Sequence, residues 1–253
     1  GMVGAPIVVP AGEKIRTELD YPDGGVGTLG VERYFRSRWA TDNLTKDHGQ
    51  GRAWRHNHAA GFNQIAAHAL RIDLPGGEER LFVRDTYGNE GNPGDWRPAN
   101  GLDVLAKGEN AWTLQLAGSS SVYSFNPKGQ LTSVKEINGR ITNYIYIGDL
   151  LSEVRDSFGR VLRYEYGGSG NIVRVVVPDG SVIQYSYDSG NRLQNVIYAD
   201  QTSRTYHYEN SAYPNLLTGI SIQGQRYASF GYAAKAVASS TSLAGGVGRY
   251  VVN

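Results

Sequence analysis

Four of the five histidines in this chain lie within twenty-one residues of one another, and imidazole is a common metal ligand. The four are His48, His56, His58 and His68. A zinc site needs three or four converging ligands, and a strand would present His56 and His58 on one face. The sequence contains no cysteine that could complete such a set. We therefore favour the alternative, in which His56 and His58 are partly exposed strand residues that follow Trp54, and we predict no metal.

Three glycines, Gly25, Gly27 and Gly30, match the spacing of the dinucleotide-binding fingerprint. That motif binds phosphate only where a strand turns into a helix, because the helix N-terminus supplies free N–H groups. Here the glycines are followed by Val31-Glu-Arg-Tyr-Phe35, which has the composition of a strand. We predict no nucleotide and no other cofactor. No spacing of a nucleophile with a base, or of paired carboxylates, is typical of a hydrolase, so we predict no catalytic residue.

Tyrosines have the most regular spacing in the chain and recur every 20 or 21 residues through its second half. The first column is Tyr123, Tyr144, Tyr164, Tyr185, Tyr206 and Tyr227. The second column lies two residues later and is Phe125, Tyr146, Tyr166, Tyr187 and Tyr208, with Ser229 in the sixth place. Rows of aromatic rings can stack on sugars, but they also stabilise neighbouring strands. Six copies in phase favour the second explanation, so we interpret both columns as structural.

The elements that carry these tyrosines are short strands. In the fourth copy, Ile183, Tyr185 and Tyr187 fall on one face because side chains alternate along a strand. The segment Asp188-Ser-Gly-Asn191 supplies residues that tolerate a hairpin turn, and a second apolar stretch runs from Leu193 to Tyr198. We predict an all-β fold of stacked antiparallel hairpins, each of about 21 residues, that form an extended, twisted and curved sheet.

The second strand of each copy contains an apolar pair three residues apart. The pairs are Leu131 and Val134, Ile172 and Val175, and Leu193 and Val196. A regular strand would send the two members to opposite faces. Either a β-bulge lies between them or the first member belongs to the turn, and the pattern alone leaves both alternatives open.

The chain divides into three stretches by pattern. Residues 1–60 form an irregular lead-in, residues 61–118 form longer hairpins continuous with the sheet, and residues 119–253 form six repeats. A polar loop at 89–95 is the best candidate for local disorder. A short stack of hairpins leaves unpaired backbone at both ends, so we expect residues 5–40 to cap one end. Residues 245–253 then cover the other end or pair with a neighbouring molecule.

Composition excludes several classes of function. The 253 residues include 25 Lys and Arg against 24 Asp and Glu, a formal net charge of +1, so no basic field indicates nucleic acid or an anionic membrane. No apolar run approaches the roughly 20 residues of a membrane span. No signal peptide is visible, and Gly1 before Met2 has the form of a tag remnant. The lack of cysteine suits an oxidising space entered without disulfides and also suits the cytosol.

The repeat unit Val182–Val196 resembles the tyrosine–aspartate (YD) repeat of the Rhs family. Other parts of the chain resemble the lead-in and later repeats of that family: Pro10–Tyr21, Leu29–Ser37, Gly51–Arg55, Arg226–Tyr232 and Ala244–Gly246. The Tyr-Asp pair itself is intact only at Tyr187-Asp188, which weakens any role that depends on the aspartate.

The resemblance implies a non-catalytic structural segment of a secreted or cell-surface shell. Such a shell would encapsulate and deliver a C-terminal toxin domain that this chain lacks, so the expected partners are the remainder of its own full-length chain and the toxin. The alternative is a β-sheet module that binds a glycan or a cell-surface protein. Neither alternative involves nucleic acid or a membrane span.

Overall fold

The computed structural model describes residues 13–23, 29–42, 47–84, 96–99 and 101–233, and the backbone alone of residues 7–8, 236–242 and 250–251. The chain forms two compact units. The first unit is Gly1–Pro22, Val31–His56 and Tyr164–Asn253, and the second is Asp23–Gly30 and Asn57–Arg163. The predicted loop at 89–95 lies outside the described residues.

The lead-in part of the first unit forms a four-stranded antiparallel sheet of its own. Its elements are β1 (Ile7–Val8), β2 (Glu13–Tyr21), β3 (Val31–Arg36), the short helix α1 (Ser37–Thr41) and β4 (Trp54–His56), with the strands in sequence order. In β3 the side chains of Val31, Arg33 and Phe35 are buried while their neighbours are half-exposed, because alternate residues of a strand face opposite sides.

The second unit contains two antiparallel sheets. The first consists of β5 (Gly61–Ala66), β6 (Ala69–Asp73), β7 (Glu79–Arg84) and β8 (Trp96–Pro98). The second begins with β9 (Val104–Lys107), β10 (Trp112–Gln115), β11 (Val122–Phe125), β12 (Leu131–Lys135), β13 (Ile141–Ile147), β14 (Leu150–Arg155) and β15 (Val161–Tyr166). The boundary between the units falls inside β15.

The expectation that residues 61–118 form one sheet with the repeats is therefore correct only for β9 and β10. The strands β5–β8 pair among themselves in a separate sheet. The backbone of β5 contacts the repeat region at one place, where Gly61 bridges Gln130 and Phe62 donates its N–H to Gly129 at 2.8 Å.

The repeat part of the first unit continues the pattern of one strand beside the next in sequence. Its strands are β16 (Ile172–Val176), β17 (Val182–Tyr187), β18 (Leu193–Ile197), β19 (Ser203–His207), β20 (Gly219–Ile222), β21 (Gln225–Ala233), β22 (Ala236–Ser242) and β23 (Tyr250–Val251). The prediction of an all-β fold built from antiparallel hairpins is confirmed. Of the C-terminal residues 245–253, only the pairing of Tyr250 and Val251 with β22 is described.

Seven corners between β11 and β19 share one hydrogen-bond pattern over five residues. The first N–H donates to the fifth carbonyl, and the fourth N–H donates to the first carbonyl, as in a type I turn closed by a bulge. The corners are 126–130, 136–140, 156–160, 167–171, 177–181, 188–192 and 198–202. The fourth position has positive φ and is glycine in five corners, but it is Asn191 (59°) and Gln201 (67°) in the last two.

The apolar pairs three residues apart are explained by β-bulges. Ser124 pairs with Ser133 and Phe125 with Leu131, so residue 132 is the extra residue, and the same shift occurs in β14 and β18. The bulge places both members of a pair on one face. Leu193 and Val196 are accordingly both fully buried. The first of the two alternatives left open by the sequence is therefore correct.

The positive φ at Gln201 generates a testable prediction. A left-handed conformation strains a residue with a Cβ by about 1–2 kcal/mol, whereas glycine adopts it freely. Glycine also makes the unfolded chain more flexible, which offsets part of this gain. We therefore expect Gln201→Gly to raise the free energy of unfolding by about 0.5–1 kcal/mol. Urea denaturation measures the change.

The matched control is Ala199→Gly, in the same corner but without a positive φ. This variant gains only unfolded-state entropy and should lower the free energy of unfolding by about 0.5–1 kcal/mol. Equal effects of the two substitutions would contradict the assignment of strain to Gln201.

Candidate functional site

A buried ion pair lies at the centre of the first unit. Asp20 occupies a β-bulge in β2 and Arg33 lies in the neighbouring strand β3, and both side chains are fully buried. The Arg33 guanidinium binds the carboxylate through two nitrogens: Nη2 donates to Asp20 Oδ1 at 2.9 Å, and Nε donates to Oδ2. Such a bidentate pair is stronger and more directional than a single contact between charges.

Phenol hydroxyls from the repeats add three further hydrogen bonds to this pair, although Arg33 Nη1 has no hydrogen-bond partner among the described residues. Tyr185 donates its hydroxyl to Asp20 Oδ2 at 2.9 Å, and Tyr198 donates to Oδ1 at 2.8 Å. Arg33 Nη2 donates to the Tyr206 hydroxyl at 2.8 Å. Buried charges are tolerated only when they are paired and hydrogen-bonded, so the lead-in strands and the tyrosines stabilise one another.

Aromatic rings surround the Arg33 guanidinium. It lies 5.0 Å from the ring centroid of Trp54, 5.1 Å from that of Tyr206 and 5.7 Å from that of Tyr185. Trp54 also packs edge-on against Tyr206, with centroids 4.8 Å apart. A desolvated cation near aromatic faces gains about 2 kcal/mol from cation–π attraction, which offsets part of the cost of burying the charge.

The protonation states of this cluster do not suit acid–base catalysis. Burial raises the pKa of Tyr185 well above its usual value, and the charge of Asp20 raises it further. Burial is the largest single influence on Arg33 and lowers its pKa, but the charge and hydrogen bond of Asp20, together with the neighbouring phenols, outweigh it, so the net pKa is raised. The phenol and the guanidinium therefore keep their protons near neutral pH and act as hydrogen-bond donors.

The second aromatic column binds backbone carbonyls. Three of its hydroxyls each donate to the carbonyl of the residue fifteen positions earlier, at the start of the preceding second strand. The pairs are Tyr187 to Ile172 and Tyr208 to Leu193, each at 2.8 Å, and Tyr146 to Leu131 in the second unit. Tyr232, which lies beyond the predicted column, donates in the same way to the Leu217 carbonyl at 2.8 Å. This contact joins one hairpin to the next.

The lead-in also contacts the second column. The Tyr187 hydroxyl bonds to the carbonyl of Gly49 at 3.0 Å, and Trp54 Nε1 donates to the Tyr208 hydroxyl at 2.9 Å. Gly51 has φ +76°, and a Cβ there would lie 2.7 Å from the carbonyl oxygen of Asn191. Glycine is required at this position because the loop approaches the repeats so closely.

The lead-in therefore covers the aromatic face of the repeats in the first unit. The expectation that residues 5–40 cap one end of the sheet differs from the described structure, in which Asp20 and Arg33 pack on tyrosines of the face. The physical reason is the ion pair, which needs the phenol hydroxyls that only this face presents.

Most of the predicted column residues are buried or half-buried. Phe125, Tyr144, Tyr164, Tyr185 and Tyr206 are buried. Tyr123, Tyr146, Tyr166, Tyr187, Tyr208 and Tyr227 are half-buried.

Tyr227 does not continue the first column. Tyr206 pairs with Ile220, and Ile220 pairs with Ala228, so Ala228 and not Tyr227 shares the face of Tyr206. Phe230 is buried on that face, and the Lys14 ammonium lies 4.2 Å from its ring centroid. The longer loop after Tyr208 adds three residues to the repeat, which moves the column from position 227 to position 230.

His56 and His58 are buried, so the interpretation of them as partly exposed strand residues is wrong. His56 and His58 are each 2% exposed. In the first unit His56 packs against Tyr164, and in the second His58 packs against Tyr144, with ring centroids 4.9 Å and 6.1 Å apart. Among the described residues, no group of three or more His, Asp or Glu side chains could hold a metal ion.

Burial lowers the pKa of His58 to about 4, although a backbone hydrogen bond opposes the shift. Its Nε2 lies 3.0 Å from the carbonyl oxygen of Gly30, so the neutral ring carries its proton on Nε2. Contacts with aromatic rings and with the backbone therefore explain the positions of His56 and His58.

Asp20 and Arg33 were not singled out from the sequence. The available signal was Arg33 itself, which alternates with Val31 and Phe35 and so falls on the apolar face of a predicted strand. A charged residue in such a position is buried only with a partner. Nothing local identified Asp20, Tyr185 and Tyr206 as those partners.

Comparison with known families gives one match. Residues 147–182, from the end of β13 into β17, match the family model RHS Repeat. This part of the chain contains an RHS repeat, and the resemblance drawn from the tyrosine spacing is confirmed there. Among curated proteins, no sequence matches the chain.

Two solved structures are similar over most of this chain. One is the Photorhabdus luminescens Tc holotoxin pore with a mutation in TccC3, at 14% identity and a TM-score of 0.36, covering 87% of this chain and 14% of the other. The second is a complex of TcdB2, TccC3 and Cdc42, at 16% identity and a TM-score of 0.36, covering 89% and 15%. This chain thus spans about one seventh of each of these proteins.

The buried pair predicts a large and asymmetric mutational effect. Arg33→Met leaves the Asp20 carboxylate buried without its cation, and we expect the free energy of unfolding to fall by about 3–5 kcal/mol. Chemical denaturation at neutral pH measures the loss. The exposed pair Arg174–Glu165 provides the control, since Arg174→Met should cost less than about 1 kcal/mol. Similar losses in both variants would contradict the central role of Arg33.

Burial of His58 predicts a specific pH dependence. Its folded-state pKa lies below its unfolded value, so the unfolded chain binds the extra proton and stability falls as the pH drops below about 6.5. Near pH 5 the loss from this residue is about 2 kcal/mol relative to pH 7. We expect His58→Gln to lack this contribution in urea titrations at the two pH values. The exposed His68→Gln is the control and should retain the wild-type dependence.

Proposed function

We propose that this chain is a non-catalytic structural segment of a secreted Rhs-type shell, which encapsulates and delivers a toxin domain carried elsewhere in a longer protein. The observation that carries the proposal is the use of the aromatic columns. Hydroxyls of both columns are bound by the lead-in or by backbone carbonyls. These bound hydroxyls join the hairpins to one another and to the lead-in.

The arrangement of the repeats supports a wall. Each corner returns the chain beside the previous strand, so the sheet extends by two strands per repeat. The face opposite the tyrosines is largely polar, with cross-strand ion pairs such as Arg163–Glu153 and Arg174–Glu165. A sheet with one dry and one wet face suits a layer that separates two compartments. The RHS repeat at residues 147–182 supports the same assignment.

The structural role predicts a large loss when a column residue is truncated. Tyr185→Ala removes a buried ring and a hydrogen bond to Asp20, and we expect the free energy of unfolding to fall by about 3–5 kcal/mol. Phe158→Ala, which removes a 59% exposed ring, should cost less than about 1 kcal/mol. Guanidinium titrations compare the two, and a loss near zero for Tyr185→Ala would mean that the column is available for ligands.

Encapsulation itself is tested on the gene and on the longer protein. We expect the reading frame beyond Asn253 to encode further repeats and a C-terminal domain, and limited proteolysis of that protein should spare the domain. A stop codon directly after Asn253, or rapid cleavage of the domain within an intact repeat region, would refute the proposal.

A second candidate function is saccharide or cell-surface binding, and one feature favours it. An open groove of about 580 Å³ beside the long loop is lined by Glu209, Ser211, Thr218, Arg226 and Tyr232. Its volume falls in the range of small-ligand sites. However, Glu209 and Arg226 bind each other at 2.9 Å, and the Tyr232 hydroxyl is bound to Leu217.

A thermal-shift panel of saccharides on the whole chain separates the two functions. The shell role predicts no stabilisation by any sugar. A reproducible stabilisation that disappears in Glu209→Gln would support the binding module and place its site in this groove.

A further inference from the structure

One buried glutamine of the lead-in has a side-chain amide without a hydrogen-bond partner among the described residues. Gln50 is 1% exposed, and neither its side-chain Nε2 nor its Oε1 has a hydrogen-bond partner in the described part of the chain. Native structures rarely leave a buried amide in this condition, and ordered water is a common partner where the protein supplies none.

The backbone on either side holds Gln50 in this position. The Gly49 carbonyl accepts the N–H of Ile172 at 2.7 Å and the hydroxyl of Tyr187 at 3.0 Å. Gly51 has no room for a Cβ beside the carbonyl of Asn191. With both neighbours fixed against the repeats, the loop cannot rotate the amide out to solvent without losing these contacts.

A small, partly open cavity lies beside this side chain. It is lined by Gln50, Trp54, Leu193, Tyr208, Arg192 and Asn215, among others, and it has a volume of about 10 Å³. This is about the volume that the centre of a single water molecule occupies in a protein cavity, and it is too small for an organic ligand.

The polar lining residues can supply the further hydrogen bonds that a buried water needs. The Tyr208 hydroxyl donates to the Leu193 carbonyl and accepts from Trp54 Nε1, and its oxygen retains a second lone pair. Asn215 contributes a side-chain amide with both donor and acceptor atoms.

We infer that this cavity is a binding site for one ordered water molecule, which hydrogen-bonds to the Gln50 amide. The water joins the lead-in loop at 49–51 to the corner at 188–192 and to the end of the long loop at Asn215. The first unit is thus held together by a hydrated contact in addition to the dry one around Arg33. This inference concerns the packing of the lead-in and does not depend on the shell function.

A high-resolution crystal structure of the whole chain tests the site directly. We expect a density peak of a single water in an omit map, within hydrogen-bond distance of Gln50 Nε2 or Oε1. An empty cavity, a metal-like peak with short contacts, or a Gln50 amide bonded to protein atoms would each overturn the inference.

An independent test replaces the amide with an apolar group of similar length. If a water molecule binds Gln50, Gln50→Met leaves that water without its hydrogen bonds to the amide. The folding equilibrium constant should then fall by roughly tenfold. The control is Gln64→Met, at an exposed position in β5, which should leave the constant within about twofold. If the amide has no partner, its replacement by methionine should leave the folding equilibrium constant unchanged or raise it. Either result would overturn the inference.

Discussion

The bidentate pair between Arg33 and Asp20 is the interaction on which the rest of the first unit depends. Burying two opposite charges costs less when further hydrogen bonds satisfy their lone pairs and N–H groups. Tyr185, Tyr198 and Tyr206 supply three such bonds from the repeats. In return, the pair gives the buried phenols partners that an apolar core could not provide. The lead-in sheet and the tyrosine face are therefore each incomplete without the other, and the ion pair specifies how they fit together.

The repeat length follows from two local devices. A five-residue corner with a left-handed fourth residue turns the chain, and a β-bulge early in the second strand places two apolar side chains on one face. The second-column tyrosine then bonds the carbonyl fifteen residues earlier and fixes the spacing between hairpins. Where the loop after Tyr208 adds three residues, the same contact is formed by Tyr232 and Leu217. The hydrogen bond is retained, and only the sequence interval changes.

These features bear on function because they account for the aromatic residues. A row of tyrosines on a sheet could stack on sugars, but the hydroxyls of Tyr185, Tyr187, Tyr206 and Tyr208 are bonded to the lead-in or to backbone carbonyls. Among the described residues, the outer face of the sheet and the groove near Glu209 are exposed to a partner. Residues 147–182 contain an RHS repeat, and a face that is covered by the chain's own lead-in agrees with a wall segment better than with a lectin-like platform.

The sequence by itself determined the all-β class, the hairpin repeat, the turn at 188–191 and the two aromatic columns up to Tyr208. These features are local, and the period-2 alternation and turn chemistry express them within one repeat. Only the tertiary structure decided between bulge and turn, moved the last column position from Tyr227 to Phe230, and buried His56 and His58. It also brought Asp20 to Arg33 and both to tyrosines more than 150 residues away. Contacts between segments so far apart leave no periodic trace in the chain, because they depend on which face the lead-in covers, and the cost of burying charge determined that choice.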